Sequence, residues 1–232
     1  MSALTSAAGL RFFGSGPEKP TTVSSRSDLL HMLRGNKIYL PDLASLFQHW
    51  PQSESKNLNA LQAALPERAA QFSDSEEMHK VLCKTDAALF VAKWWPGASL
   101  EVGEVLVTLI LWLFCWDDFL DNDHATDGQD IIAARLFYDE SIAYVEYYLG
   151  LADQPSFPPS RVMSAFSEVG ELMCSYHDIE QRKFVFNSFR DYMNSVLVEQ
   201  ARRLSPLLPT VLEYFDTRMG TSAVDITSFM NK

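Results

Sequence analysis

An apolar run that ends in aspartates constrains this chain more than any other stretch. Residues 105–123 read VLVTLILWLFCWDDFLDND, and Asp117, Asp118 and Asp121 follow the spacing DDxxD. On a helix, Asp117 and Asp121 share a face, and Asp118 lies about 100° around the axis from Asp117. Carboxylates at this end of a helix repel one another and the negative end of the helix dipole. A divalent cation removes that conflict, and oxygen ligands with room for water and phosphate suit Mg²⁺.

The spacing alone is not specific, because acidic clusters at helix ends are more often solvated caps than metal sites. The residues before the cluster favour a metal site over a solvated cap. Trp112, Phe114 and Trp116 precede the aspartates, and an apolar helix that ends in carboxylates is what a cavity with a metal at its mouth requires. The sequence therefore predicts a metal site at this helix end.

Composition excludes several classes of function. The net charge of −11 argues against nucleic acid and anionic membrane surfaces as partners. The N-terminus has no apolar signal segment, and the run 105–116 is too short to span a membrane. Cys83, Cys115 and Cys174 are widely spaced in apolar or helical surroundings, so we expect reduced core thiols in a cytoplasmic protein.

The hydrophobic periods predict an all-α bundle, since strand and hairpin signals are absent. Residues 1–35 are rich in Ser, Thr, Gly and Pro and predict a flexible leader. Residues 36–232 predict one helical domain. The predicted helices cover 42–50, 58–72, a segment from 73 or 75 to 94, a segment from 99 through the aspartates, 129–149, 160–181, 183–204 and 211–218.

Three ordered landmarks resemble one protein family. The segment WLFCWDDFLDND is similar to the aspartate-rich motif of class I terpene synthases, in particular the fungal sesquiterpene cyclases. Upstream, KWWPGASLEVGEVLVTLILW resembles that family's helix break before a Glu-bearing helix, and EYFDTRMGTSAVD downstream resembles its Tyr-x-x-x-Arg-x-x-x-(Gly/Ser) segment. The resemblance runs from about Ile38 to about Phe229. It implies the class I terpenoid synthase bundle, with 36–232 as a partial domain of that type.

The resemblance implies a role for each matching residue. Asp117, Asp118 and Asp121 would hold Mg²⁺ ions that bind a diphosphate, and Asp117 would take part in catalysis. Arg218 would sense the diphosphate as the second catalytic residue. Thr221 would be a linker, and the backbone carbonyl of Ser222 would face the leaving group.

The implied reaction is the ionisation of a prenyl diphosphate such as farnesyl diphosphate, followed by cyclisation of the carbocation. This is lyase chemistry of isoprenoid secondary metabolism. Metal and guanidinium can neutralise the leaving group without a protein nucleophile. The cation then needs a dry aromatic pocket, although aromatic residues on helices are more often plain core. The candidates for the pocket are Phe90, Trp94, Trp112, Phe189 and Tyr214.

The chain departs from the family pattern at its end. The family's second metal motif, Asn-Asp-x-x-Ser-x-x-x-Glu, would follow the arginine, but the sequence stops at Lys232. We therefore expect a C-terminally truncated chain that lacks the last helices and has weak or absent activity unless the missing part is supplied. Asp191, Ser195 and Glu199 have the right spacing but precede Arg218, so a polar helical stripe explains them better. Glu199 could form a solvated ion pair with Arg202 or Arg203.

Two other functions stay open. An inactive remnant could act as a helical interaction protein and form a homo-oligomer through an exposed apolar face. A prenyl-chain elongating synthase also uses DDxxD, but the single aspartate motif of this chain counts against that class.

Overall fold

The computed structural model describes residues 25–37, 39–49, 53–121, 131–205 and 207–229, with only the backbone of 120, 121 and 131. The chain divides into two units, residues 1–37 and 38–232. The helices of the described residues are α1 (Arg26–Leu33), α2 (Leu43–Phe47), α3 (Leu58–Ala70), α4 (Glu76–Lys84), α5 (Ala87–Trp94), α6 (Leu100–Asp121), α7 (Ile131–Tyr148), α8 (Arg161–Ala165), α9 (Ser167–Tyr176), α10 (Ile179–Leu204), α11 (Val211–Thr221) and α12 (Val224–Phe229).

The all-α prediction is confirmed, because no β-strand forms in the described ranges. Within the same ranges, no helix is long and apolar enough to cross a membrane. The first unit contributes α1, and the second contributes α2 to α12.

Helix α6 forms the centre of the second unit. It packs against α3, α5, α8, α9 and α10, and the side chains of residues 106–113 are all buried. A helix that is apolar on all sides has to lie in the interior, because no face of it can be left to solvent. At its first turns, Glu104 accepts a hydrogen bond of 3.0 Å from Arg68 on α3, which also pairs with Glu168 on α9.

An aromatic cluster fixes α6 against α10. Trp112 lies 5.6 Å from Phe189 and 5.0 Å from Phe166, measured between ring centroids, and all three side chains are fully buried. One turn later, Trp116 lies 5.7 Å from Tyr192, and its indole N–H donates to the hydroxyl of Ser141 on α7 at 2.9 Å. These contacts combine large buried areas with preferred ring geometries.

The predicted helix from 73 or 75 to 94 is wrong as one element, since it forms α4 and α5. Asp86 between them has a φ of 53°, a left-handed conformation that cannot continue a right-handed helix. The hydroxyl of Thr85 donates to the carbonyl of Leu82 at 2.7 Å and closes the end of α4.

The predicted helix 160–181 is also wrong as one element. It is divided into α8, α9 and the start of α10, which begins at Ile179 and not at Lys183. Asp178 accepts a hydrogen bond from the backbone N–H of Gln181, and the Gln181 side chain accepts from the backbone of Asp178, both at 2.9 Å. This capping box ends one helix and begins the next because it satisfies two N–H donors at once.

Three further features differ from the sequence predictions. Helix α1 forms inside the segment 1–35, where no helical period was evident, with Ser25 as its N-cap; residues 1–24 lie outside the described ranges. Helix α12 forms after 211–218, the last of the predicted helices. Cys174 is exposed, whereas Cys115 is buried as predicted.

The aromatic cluster predicts a large difference between two phenylalanines on α10. Replacement of the fully buried Phe189 by Ala should lower the free energy of unfolding by about 3–5 kcal/mol, because it leaves a cavity beside Trp112. The matched change Phe184→Ala, at a side chain that is 54% exposed, should cost about 1 kcal/mol or less. Urea unfolding followed by circular dichroism measures both, and equal losses would contradict the assignment of Phe189 to the core.

Candidate active site

The predicted metal ligands lie at the C-terminal end of α6. Asp117 is half-buried and Asp118 is exposed, and Asp121 is the last residue of the helix. The side chain of Asp121 lies outside the described residues. Since α6 is continuous through this end, Asp117 and Asp121 have the one-turn spacing that puts both on one face.

Electrostatics at this helix end favour a cation. Burial, and to a smaller extent the negative charge of Asp118, raise the pKa of the Cys115 thiol to about 12. The carbonyls that end a helix add partial negative charge at the same place. Among the side chains that the structure describes, no three His, Cys, Asp or Glu residues come close enough to hold a metal ion. Asp117 and Asp118 are thus two hard oxygen donors of the type that Mg²⁺ accepts, with water and substrate oxygens as further ligands.

Arg218 lies in the last turns of α11 and is paired with α10. Its Nη1 is 3.3 Å from each carboxylate oxygen of Glu199. The predicted pairing of Glu199 with Arg202 or Arg203 is therefore corrected, since α11 supplies a partner from outside the helix. Arg202 instead donates from Nη1 to Thr217 and to the backbone carbonyl of Glu213.

The polar stripe on α10 takes part in packing. The hydroxyl of Ser195 donates to the backbone carbonyl of Asp191 at 2.8 Å, while Glu199 faces Arg218. Ser195 and Glu199 thus make hydrogen-bond and ion-pair contacts of the kind found on a polar helical stripe.

A glycine allows α11 to approach α10 closely. A Cβ at Gly220 would lie 2.0 Å from Ser195 Oγ and 2.6 Å from Ser195 Cβ. No side chain fits into that space. The N-terminal end of α11 is fixed by a capping box between Thr210 and Glu213, and the hydrogen bonds from the Thr210 hydroxyl and backbone lower the pKa of Glu213.

Helix α11 ends slightly later than the predicted end at Arg218. Thr221 ends α11, and Ala223 has a φ of 52° before α12 begins at Val224. The Thr221 hydroxyl oxygen is buried and makes no hydrogen bond within the described ranges. Ser222 is exposed, and its hydroxyl donates to the carbonyl of Met219 at 2.8 Å.

Helix α10 brings the two candidate groups to one surface. Trp112 contacts Phe189 and Trp116 contacts Tyr192, so the aspartate end of α6 points along α10 towards Glu199. Helix geometry places Glu199 about 10 Å beyond Tyr192 and within about 20° of it around the axis. Trp116 of α6 and Arg218 of α11 therefore contact α10 at positions about two turns apart, Tyr192 and Glu199.

The five candidate aromatic residues include both fully buried and partly exposed side chains. Trp112 and Phe189 belong to the buried cluster. Phe90 and Trp94 stack on each other at 5.5 Å and are 38% and 39% exposed, and Tyr214 is 51% exposed.

A cavity of about 470 Å³ lies near the C-terminal end of α6. Phe119, which directly follows Asp118, lines this cavity, but none of the five aromatic candidates does. The sequence carried no signal for it except the position of Phe119, because its wall joins distant segments. The residues that line it are Phe72, Asp74, Met78, Phe119, Ala133, Ala134, Leu136, Phe137, Glu140, Ser160, Arg161, Val162 and Gln200.

Comparison with known proteins identifies one family. The family described as terpene synthase family 2, C-terminal metal binding, matches residues 108–230, which include the aspartates and Arg218. The sesquiterpene cyclase hepA of Aspergillus oryzae is 29% identical over 218 residues. The match covers 90% of this chain and 59% of that protein, so the chain spans less than two thirds of the length of this relative.

Solved structures share the fold. Hedycaryol synthase in complex with nerolidol superposes with a TM-score of 0.62 at 17% identity, over 84% of this chain and 59% of that one. The linalool/nerolidol synthase from Streptomyces clavuligerus gives a TM-score of 0.63 at 18% identity, over 78% and 58% of the two chains. The predicted fold class is confirmed by these likenesses, which at such identities concern the fold alone.

The close approach of α11 to α10 predicts a specific sensitivity at Gly220. Gly220→Ala should lower the free energy of unfolding by about 1–3 kcal/mol, because the new methyl group overlaps Ser195. Gly97→Ala is the matched control, since a Cβ there meets nothing within 4 Å. In a double-mutant cycle, Ser195→Gly should recover part of the loss at Gly220. Additive losses in chemical denaturation would contradict the contact.

Proposed function

This chain belongs to the class I terpene synthase family, and we propose that it ionises a prenyl diphosphate, with farnesyl diphosphate as the preferred substrate, and cyclises the carbocation. The observation that supports this most is that α10 contacts both parts of the candidate site: Trp116, directly before the aspartates, packs on Tyr192, and Arg218 of α11 pairs with Glu199. A diphosphate between them would meet metal on one side and a guanidinium on the other.

Asp117, Asp118 and Asp121 would hold the metal in this proposal. The three carboxylates would hold Mg²⁺ against the diphosphate, where the cation would neutralise charge and make the diphosphate a better leaving group. The half-buried position of Asp117 gives its carboxylate a more restricted environment than the exposed Asp118, so we assign Asp117 the larger share of substrate orientation.

Arg218 would bind the diphosphate and stabilise the charge that develops on it as the bond to carbon breaks. A guanidinium suits this role, because its planar donors match phosphate oxygens and it stays charged. Thr221 and Ser222 follow at the break between α11 and α12. A displacement of Arg218 on diphosphate binding could therefore move the Ser222 backbone carbonyl.

Phe90 and Tyr214 would contact the prenyl chain. Both rings are more than one third exposed, so each presents an aromatic face that an apolar substrate could cover. Trp112 and Phe189 would shape this surface indirectly, through the packing of α6 on α10.

The proposal also includes the boundaries of the domain and the location of the protein in the cell. The terpene synthase domain would be residues 36–232, which agrees with a compact unit that starts at residue 38, and residues 1–35 would be a leader. A cytoplasmic location is supported by the chain's cysteines, Cys83, Cys115 and Cys174, which are free thiols.

The role of the aspartates predicts metal-dependent binding that one substitution removes. The wild-type chain should bind inorganic pyrophosphate in the presence of Mg²⁺, and Asp117→Asn should weaken that binding at least about tenfold, since it removes a charged oxygen ligand. Asp153→Asn, at an exposed loop position, is the control and should change nothing. Isothermal titration calorimetry with and without EDTA measures the affinities.

Incubation with farnesyl diphosphate tests the reaction itself. A cyclic hydrocarbon or alcohol in the volatile fraction by mass spectrometry supports the cyclase, and its loss in Asp117→Asn ties it to this site. A longer prenyl diphosphate would support chain elongation instead. Metal-independent binding, or none, would contradict the proposed site.

A second function, helical interaction, is favoured by one observation. Helix α11 exposes apolar side chains along much of its length: Val211 at 73%, Leu212 at 71%, Phe215 at 59% and Met219 at 76%. Soluble monomers rarely expose contiguous apolar surface of this kind. Association of two copies through α11 would cover it.

Self-association through α11 predicts a concentration-dependent mass. Sedimentation velocity should detect a dimer in the wild-type chain, and Leu212→Lys should shift it towards monomer, because a charge would be buried at the contact. Val81→Lys is the control, since Val81 is 54% exposed on α4 and away from α11. A monomer at all concentrations, or an equal effect of both changes, would overturn this function.

A further inference from the structure

The contact between Glu199 and Arg218 has a geometry and an exposure that add little to the stability of the fold. Each carboxylate oxygen lies 3.3 Å from Nη1, at the long end of hydrogen-bond distances. The two side chains are 38% and 50% exposed. Ion pairs with this exposure and this geometry contribute little to the free energy of unfolding.

We infer that Glu199 is a positioning residue for Arg218. Glu199 holds one end of the Arg218 guanidinium against α10 and leaves the other edge of the guanidinium for a diphosphate. The inference rests on the proposed function, because it needs an anion that Arg218 binds.

The donors of the guanidinium are divided in a way that fits this role. An arginine has five N–H donors, and Glu199 contacts those of Nη1 only. Within the described residues, Nε and Nη2 of Arg218 make no hydrogen bond. These two atoms form the edge that matches two phosphate oxygens at once. A carboxylate that competed with the diphosphate would be expected on that edge.

The support beneath Glu199 is rigid. Helix α10 runs unbroken from Ile179 to Leu204, and α11 is fixed on it by the Gly220–Ser195 approach, one turn from Glu199. Arg202 adds hydrogen bonds to Thr217 and Glu213 on α11. Glu199 therefore restrains a long, flexible side chain relative to a fixed frame, and a restrained side chain loses less entropy on binding.

Two effects of Glu199 oppose each other. Its negative charge repels a diphosphate, and its contact orders the guanidinium. Solvent and salt screen the exposed carboxylate, so its repulsion of the diphosphate is weak. Without the contact, the guanidinium would have to be ordered each time that a diphosphate binds. We therefore expect the ordering effect to be the larger one.

Two substitutions at one position separate these effects. Glu199→Ala removes charge and acceptor together, and it should weaken the binding of inorganic pyrophosphate with Mg²⁺ by about three- to tenfold. Glu199→Gln keeps an acceptor oxygen for Nη1, and it should stay within about twofold of wild type. Glu180→Gln is the control, because Glu180 forms a similar exposed pair with Lys183 at the far end of α10. Calorimetry gives the affinities, and thermal unfolding verifies that each variant is folded.

A second measurement reports on Arg218 directly. Phenylglyoxal modifies arginines, and peptide mass spectrometry identifies the modified residue. Arg218 should react faster in Glu199→Ala than in wild type and at an intermediate rate in Glu199→Gln, while Arg190 on the same helix should react equally in all three proteins.

The outcomes distinguish this inference from the function on which it rests. If wild type binds pyrophosphate and Glu199→Ala binds it equally or more tightly, the positioning role is overturned and the proposed site stands. If wild type does not bind pyrophosphate with Mg²⁺, the proposed site falls and the inference falls with it. Weaker binding in Glu199→Ala, rescue by Gln and faster modification of Arg218 together support it.

Discussion

The packing of Trp112 and Trp116 against α10 is the interaction on which the rest of this molecule depends. It buries the central helix and sets the direction and register of α6 relative to α10. Since the aspartates follow Trp116 directly, their position is a consequence of aromatic packing one turn earlier. Core residues that do not contact a ligand therefore fix the position of the carboxylates at the helix end.

Helix α10 connects this core to the second half of the candidate site. It contacts the end of α6 through Tyr192, α11 through Ser195, and Arg218 through Glu199. These residues lie on adjacent turns of one face, so a single helix relates the aspartates to the arginine. A change that moves α11 on α10 would alter the distance between the two charged groups without touching either one.

Helix content was predictable here, and helix boundaries were less so. The apolar periods located the central helix because the side chains of residues 106–113 are all buried. They missed the breaks at Asp86 and at 177–178, because single residues in special conformations or local caps interrupt an otherwise helical pattern. The D-x-x-Q capping signal at Asp178 was present in the sequence, whereas the left-handed Asp86 had no such signal.

For the candidate site, the available residue types and their order can be read from the amino-acid sequence alone. The DDxxD spacing depends only on helix periodicity, and the resemblance to class I terpene synthases follows from ordered motifs. The packed fold was needed to show that Glu199 pairs with Arg218, that Gly220 leaves room for Ser195, and that Trp112 and Phe189 are core residues. Those facts depend on how α10, α11 and α6 are placed, and residues distant in the chain become neighbours only when the whole core packs.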